Sequence, residues 1–357
     1  MLSPGWSPPG LEPARPRCHR QGVQGPSSRQ QAEALAARGR AAEAVALLDR
    51  EAAAGDPEAG FTLGLWLLEG RLVARDAARS RAYLGIAAEL GSAAAARIHT
   101  GFLATGTGGP PDWAGAVAAL DRWSDRDALA AEQRSLIAAM GLTEAGDPAA
   151  VPKPEMLSET PHVARLPGLF SADECRFLVG RAEARFKPAL IFHEGRQAFV
   201  RDPVRDSDSA GFPLVFENPV VHALNRRIAA ASGTDVSRGE TLQVLRYAPG
   251  QQYRPHLDAV PGLDNQRSLT VIVYLSDDYA GGETCFPHSG LAVKGARGDG
   301  LLFRNALPDG RPDPATRHCG NPVSDGVKLI ASRWIRERPP ADPDRGFGSH
   351  EVSPAAS

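Results

Sequence analysis

The chain has 357 residues, 42% of them hydrophobic and 23% charged, and a net charge of −2. Those values suit a globular protein of two domains and give no general pull toward nucleic acid or acidic membrane surfaces. No run of 18 apolar residues occurs, and no apolar leader with a small-residue cleavage site opens the chain, so neither a membrane span nor a signal peptide is expected. The cysteines at 18, 175, 285 and 319 lack C-x-x-C spacing, which argues against a structural zinc site and for a reducing, cytoplasmic setting. Cys319 adjoins His318 and is expected as a small buried strand residue whose side chain points away from that of His318.

Residues 1–28 hold six Pro and four Gly and are expected to be disordered. Residues 29–145 turn to the strong helix formers Ala, Leu, Glu and Arg. Within them Gly55 recurs as Gly91, Ala59 as Ala95, Gly70 as Gly106, Asp76 as Asp112 and Ala82 as Ala118, each pair 36 apart. A fixed period of this size predicts stacked helical hairpins. The glycines would end helices, the alanines would let helices approach, and the aspartates would cap the helices that follow. The pattern resembles Sel-one-like repeats, short relatives of tetratricopeptide repeats, carried here by Leu63-Gly64-Leu65-Trp66 through Gly70. The second copy departs at Thr100, where Gly64 would recur, and a degraded third copy is expected from Asp127 to Gly141.

Pro148, Pro152, Pro154 and Pro161 mark 146–161 as a linker. From 162 to 338 the texture becomes strand-like. A short strand is expected at Val163–Leu166. Ser171 to Glu174 reads as a capping box opening a helix through about Glu183, and a second helix is expected over Asn218–Ser232, with Pro219 in its first turn. Strand runs follow at 240–247, 268–276, 291–294, 299–304, 314–319 and 327–336. Short strands with Gly, Asp, Asn and Pro turns predict a double-stranded β-helix (jelly roll) with flanking helices. Residues 339–357 are expected to be loose.

The chemistry is concentrated in that second half. His256-Leu257-Asp258 puts two ligand-type side chains on one face of an extended segment, and His318 supplies a second imidazole. Two His and one carboxylate are the ligand set of Fe(II) oxygenases that leave three positions open on one face. Lys328 lies among apolar strand residues and is therefore either a solvated edge residue or a buried cation with an anionic partner, which a dicarboxylic cosubstrate would provide. Tyr247 precedes a Pro249-Gly250 turn and is placed to hydrogen-bond a cosubstrate carboxylate. Gly281-Gly282 lacks the helix and Lys-Ser/Thr of a phosphate loop and reads as a turn. His193, His222 and His288 are read as surface or structural, with His288 near the site mouth.

Region 160–338 resembles the catalytic domain of prolyl 4-hydroxylases, within the iron/2-oxoglutarate dioxygenases. The likeness is carried by Leu242 through Tyr247, Gly250-Gln-x-Tyr253-x-Pro-His256-x-Asp258, Arg267-x-x-Thr270, Gly281-Gly-Glu-Thr284-x-Phe286-Pro287, His318-x-Gly320-x-Pro322 and Gly326-x-Lys328. The resemblance implies that His256, Asp258 and His318 hold Fe(II), and that Lys328, assisted by Tyr247, pairs with the far carboxylate of 2-oxoglutarate. It implies that Arg267 and Tyr253 approach a peptide substrate. It further implies consumption of O2, release of succinate and CO2, and ascorbate as a reductant. Leu329 stands where the family has Trp. The leading expectation is a peptidyl-proline hydroxylase whose repeats recruit a protein or peptide. The alternatives are the same chemistry on another residue or a free amino acid, and a non-catalytic repeat scaffold with a decayed oxygenase domain. A nucleic-acid demethylase is disfavoured by the near-neutral charge and by Lys in place of Arg at the cosubstrate position.

Overall fold

A computed structural model describes residues 26–189, 191–193, 198–200, 205–260, 262–307 and 309–342. The expectations for most of 1–28, for the tail from 343 onward and for the His193 side chain fall outside the described residues. The chain divides into two units, Met1–Arg134 and Ser135–Ser357. No described helix is long and apolar enough to cross a membrane.

The first unit is helical: α1 (Ser28–Ala37), α2 (Ala41–Ala53), α3 (Pro57–Glu69), α4 (Ala77–Glu89), α5 (Ala93–Thr105) and α6 (Trp113–Trp123), with α7 (Ala128–Ala139) running past its boundary. The repeated residues act at the helix ends. Asp76 accepts from the backbone N–H of Arg79 at 2.9 Å and Asp112 from that of Gly115 at 2.8 Å, each capping an orphan donor of α4 or α6. Gly70 and Gly106 end α3 and α5 at φ of 71° and 81°, the left-handed conformation a side chain resists.

Ala59 and Ala95 are fully buried, as close approach requires, but Ala82 is only partly buried and Ala118 is exposed. Those two repeat positions are therefore not packing contacts. Gly64 brings α3 against α4: a Cβ there would stand 2.9 Å from Leu84 Cγ. Thr100, at the same place in the next copy, turns its hydroxyl onto Ala96 O at 2.6 Å, which lets a polar residue stay buried there.

The second unit is built on antiparallel strands. In chain order it contains β1 (Glu155–Ser158), β2 (Val163–Leu166), α8 (Ala172–Ala182), β3 (Lys187–Pro188), β4 (Ile191–His193), β5 (Ala198–Val200), β6 (Asp208–Gly211) and α9 (Pro219–Ser232). Then come β7 (Gln243–Tyr247), β8 (Tyr253–His256), β9 (Arg267–Tyr274), β10 (Ala280–Gly281), β11 (Thr284–Phe286) and β12 (Leu291–Val293). The last are β13 (Gly300–Arg304), β14 (His318–Gly320), β15 (Val323–Asp325) and β16 (Lys328–Arg336). Eight strands form one sheet in the order β1-β2-β13-β9-β16-β7-β6-β3, and four form a second, β12-β11-β14-β8. Leu245, Tyr247, Ile272, Tyr274, Phe303 and Ile330 of the first sheet share one core with Phe286 and Val293 of the second. The crossing order and shared core are those of a double-stranded β-helix.

The helices found here follow their sequence signals. Ser171 and Glu174 form a reciprocal capping box at α8, and Asn218 caps α9 ahead of Pro219. A buried ion pair, Arg227 to Glu174 at 2.7 Å, ties α9 to α8. The Arg333 guanidinium of β16 donates to Asn225 O at 2.9 Å, which seats α9 on the outer side of the large sheet.

Some strand expectations are corrected. Residues 314–319 split into a 3-10 turn, Pro314–Thr316, and β14, because Asp313 caps the N–H of Ala315 at 2.9 Å and Pro314 has no N–H for a ladder. Glu155–Ser158, inside the expected linker, is the edge strand β1. The strands β6, β10, β11 and β15, of two to four residues, are too short to show a period of two.

Candidate active site

His256 ends β8 and His318 begins β14, and the two are direct register partners across that pair. Their rings are 4.3 Å apart at a tilt of 54°. Asp258, just past β8, turns inward to lie 3.5 Å from His256 Nε2 through Oδ1 and 3.8 Å from His318 Nε2 through Oδ2. Asp258 and His318 are buried, and one ligand atom from each of the three residues lies within 4.8 Å of the others.

The hydrogen bonds around this cluster define its chemistry. His256 Nδ1 lies 2.9 Å from Arg254 O, and His318 Nδ1 lies 3.0 Å from Thr316 O. A carbonyl only accepts, so each Nδ1 donates, and in the neutral imidazole the Nε2 left over presents a lone pair to the Asp258 carboxylate. Acceptor then faces acceptor at both contacts, an arrangement that is favourable only with a cation between them. Burial opposes ionisation of Asp258, but His318 and His256 outweigh it and hold its pKa below the usual carboxylate range. Burial, against the pull of Asp258, takes His318 down to about 4. Asp258 and His318 are thus deprotonated near neutrality, and the two-imidazole, one-carboxylate donor set fits a divalent metal of the Fe(II) type.

Residues behind the cluster fix its aim. Thr270 on β9 donates its hydroxyl to Asp258 Oδ2 at 2.6 Å and accepts from Asn305 Nδ2 at 2.8 Å. Phe303 and Phe286 pack on the His318 ring at 4.6 and 5.7 Å. Cys319 turns to the opposite face, as expected of a strand neighbour, but it is half-buried rather than buried.

Lys328 opens β16, 3% exposed, and donates to Gly282 O at 2.6 Å. Its Nζ stands 5.6 Å from the ring centre of Tyr247 and 6.0 Å from that of Tyr274. Burial lowers its pKa to about 8, with Glu283 acting on it only through space. An ammonium buried against a neutral carbonyl and two aromatic faces is placed for an anion. Tyr247 is also buried, and burial raises its pKa against the charge of nearby Arg205.

Tyr253 stacks on the His256 ring at 3.5 Å and 16°. Arg267 is not free: it grips Glu240 at 2.7 and 2.9 Å, and its guanidinium lies 4.3 Å over the Trp334 ring. Arg336 shares that carboxylate at 2.7 Å.

Arg205 escaped the sequence reading. It is 8% exposed, its guanidinium lies 5.3 Å from the Tyr253 ring centre, and its Nε and Nη2 have no partner among the described residues. No spacing or period marks it; a short bridge to Tyr253 brings it to the site. His222 is structural, bonded to Glu217 at 2.9 Å, and His288 lies exposed in a turn.

An antiparallel β fold holding two imidazoles and a carboxylate, with a buried lysine nearby, defines an oxygenase of the iron- and 2-oxoglutarate-dependent class. Residues 242–336 match the family model of the 2OG-Fe(II) oxygenase superfamily. The chain is 34% identical over 205 residues to prolyl 4-hydroxylase 1 of Arabidopsis thaliana, covering 52% of this chain and 72% of that protein. It is 34% identical over 190 residues to the human prolyl 4-hydroxylase subunit alpha-1, covering 50% of this chain and 35% of that subunit. Among solved structures, the 2OG complex of a viral collagen prolyl hydroxylase from Paramecium Bursaria Chlorella virus-1 is 29% identical with a TM-score of 0.40, covering 49% of this chain and 95% of that one. The chain belongs to the prolyl 4-hydroxylase family of 2-oxoglutarate-dependent dioxygenases.

Proposed function

We propose that the chain hydroxylates proline within a peptide, with His256, Asp258 and His318 holding Fe(II) and Lys328 receiving the far carboxylate of 2-oxoglutarate. The names of the relatives support the target. One observation carries the peptide reading: Arg205 Nε and Nη2, without partners among the described residues, belong to a guanidinium beside Tyr253, which stacks on His256. Buried N–H groups next to the metal ligands suit a substrate carbonyl, and a peptide offers one at every residue.

Bound iron and 2-oxoglutarate supply the chemistry, turning a substrate C–H into C–OH with O2 and releasing succinate and CO2. The protein orients and shields. Thr270 and Asn305 fix Asp258, and the carbonyls of Arg254 and Thr316 fix the two imidazoles. Tyr247 and Tyr274 wall the ammonium of Lys328 from water. Tyr253 stacks on His256 with Arg205 beside it, and these two, with the Arg267–Glu240 pair, would orient the peptide.

The repeat unit would recruit that peptide or its parent protein. In support, a cleft of about 230 Å³ between α4, α5 and α6 is lined by Gly85, Ala96, His99, Leu103, Ala119 and Trp123. Ascorbate as reductant rests on the family resemblance, and a cytoplasmic setting on the free thiols of Cys175, Cys285 and Cys319.

The test supplies Fe(II), 2-oxoglutarate and ascorbate, and compares a proline-rich peptide with free proline and with a proline-free peptide. Succinate release together with one added oxygen on a peptidyl proline is expected. Oxygen added only to free proline or to another residue would move the target to an alternative.

A further inference from the structure

Cys285 and Cys319 take no part in the chemistry above. They are direct register partners on β11 and β14, on the face opposite the buried side chains of Thr284, Phe286 and His318. Both thiols are free and half-buried. The ladder sets their spacing. Asn321 N donates to Glu283 O at 2.9 Å, which makes Glu283 and Asn321 a hydrogen-bonded pair. Pair types alternate along an antiparallel ladder, so Cys285 and Cys319, two positions on, are of the same type, with Cα atoms roughly 5.5 Å apart. That lies within the Cα window of a disulfide, while the Cβ atoms of such a pair stand wider than the bond prefers. Closing the bond would therefore draw β11 and β14 together and leave a strained, easily reduced bridge.

We propose that Cys285 and Cys319 are an oxidisable dithiol, closed to a disulfide by hydrogen peroxide, and that closure loosens the hold of His318 on metal. One sulfur attacks peroxide, breaking the O–O bond and giving a sulfenic acid and water. The second sulfur displaces the sulfenic hydroxyl, which leaves with the thiol proton as a second water. Two thiols are oxidised and one peroxide is reduced. The contraction reaches the site because the His318 peptide adjoins Cys319, and a shift of that backbone would move His318 relative to the Thr316 carbonyl and the Phe303 and Phe286 rings that aim it. The dithiol stands on its own geometry; the effect on metal rests on the ligand reading given above.

The experiment treats the metal-free full-length chain, carrying Cys18→Ser, with hydrogen peroxide and removes the oxidant. Non-reducing peptide mapping should link the Cys285 and Cys319 peptides with loss of two hydrogens, and dithiothreitol should restore both thiols. Anaerobic Fe(II) titration should then show roughly ten-fold weaker binding in the oxidised form, the scale of a disturbed ligand support. In Cys285→Ser, peroxide should neither cross-link nor change Fe(II) affinity. Recovery of both thiols as separate alkylated or over-oxidised residues overturns the dithiol. A cross-link with unchanged Fe(II) affinity overturns the coupling. Failure of the reduced form to bind Fe(II) overturns the ligand reading and the coupling with it, while the cross-link alone decides the dithiol.

Discussion

Lys328 stands directly opposite Tyr247 on adjacent antiparallel strands, its ammonium 5.6 Å from the centre of the phenol ring. The pairing explains why both residues are buried at the start of β16 and the end of β7: a polar cation and a polar phenol close one end of an otherwise apolar core. The cation's hydrogen bond goes to a neutral carbonyl, so the site is polarised toward an incoming anion.

From this follows a pH dependence. Burial holds the Lys328 pKa at about 8, so above that pH the free protein loses the charge that a dicarboxylate needs. Binding must then carry a proton in, and 2-oxoglutarate affinity should fall by about ten-fold per pH unit above 8. Lys328→Ala should weaken 2-oxoglutarate by about 2–4 kcal/mol, roughly 30- to 1000-fold, and abolish the alkaline fall. Titration of 2-oxoglutarate between pH 7 and about pH 9.5 checks both, and a flat wild-type profile would remove Lys328 from the cosubstrate site.

His256→Ala and Asp258→Ala should eliminate succinate formation and bound Fe(II) while the circular dichroism spectrum stays that of the parent. Removing Asp258 takes away the acceptor of the Thr270 hydroxyl at 2.6 Å, so some stability is lost, but the antiparallel ladders that hold the fold are untouched. Normal turnover in either variant would sink the ligand assignment.

Thr270→Val keeps the shape of the side chain and deletes the hydroxyl that donates to Asp258 at 2.6 Å. It also strands Asn305 Nδ2, whose hydrogen bond goes to that hydroxyl. Loss of such support should weaken Fe(II) by about 10–100-fold. Anaerobic Fe(II) titration measures it, and unchanged affinity would show that Asp258 is held by backbone alone.

Arg205→Ala should raise the KM for a proline-containing peptide while leaving peptide-independent 2-oxoglutarate turnover near the parental rate. The guanidinium lies 5.3 Å from the Tyr253 ring centre and reaches the metal ligands only through that ring, which stacks on His256. A loss of about 1–3 kcal/mol in peptide binding is expected for one charged hydrogen bond. Equal loss of both activities would recast Arg205 as a structural residue.

The cluster of His256, Asp258 and His318 and the starts of α8 and α9 were legible because each rests on local chemistry. His256 and Asp258 share a face by the two-residue period, and Ser171, Glu174, Asn218 and Pro219 announce helix starts. Lys328 stood out as a cation in an apolar strand. What escaped was set by tertiary contact: Arg205 reaches the site across a one-residue bridge, and Glu240 acquires its role from arginines on two other strands. Short strands such as β11 and β15 carry too few residues for alternation to register. The exposed Ala118 shows the converse, a repeated residue whose recurrence does not mean packing.

Glu240 carries the last prediction. Its carboxylate serves Arg267 at 2.7 and 2.9 Å and Arg336 at 2.7 Å, and Arg336 is buried. Burial alone would raise its pKa, but the two guanidiniums prevail and lower it. A carboxylate with a depressed folded pKa contributes stability at pH above its unfolded value, and that contribution is lost as pH falls through the folded one. Glu240→Gln removes the charge while keeping the shape, leaving two cations without their counterion at a cost of about 3–5 kcal/mol. Urea denaturation at neutral pH should show that loss, and the gap between variant and parent should narrow on acidification. Arg267 would also lose its anchor over Trp334, so the variant should bind peptide more weakly even where it remains folded. A stability change under about 0.5 kcal/mol would mean that water replaces the carboxylate and that the pair steers the peptide without supporting the fold.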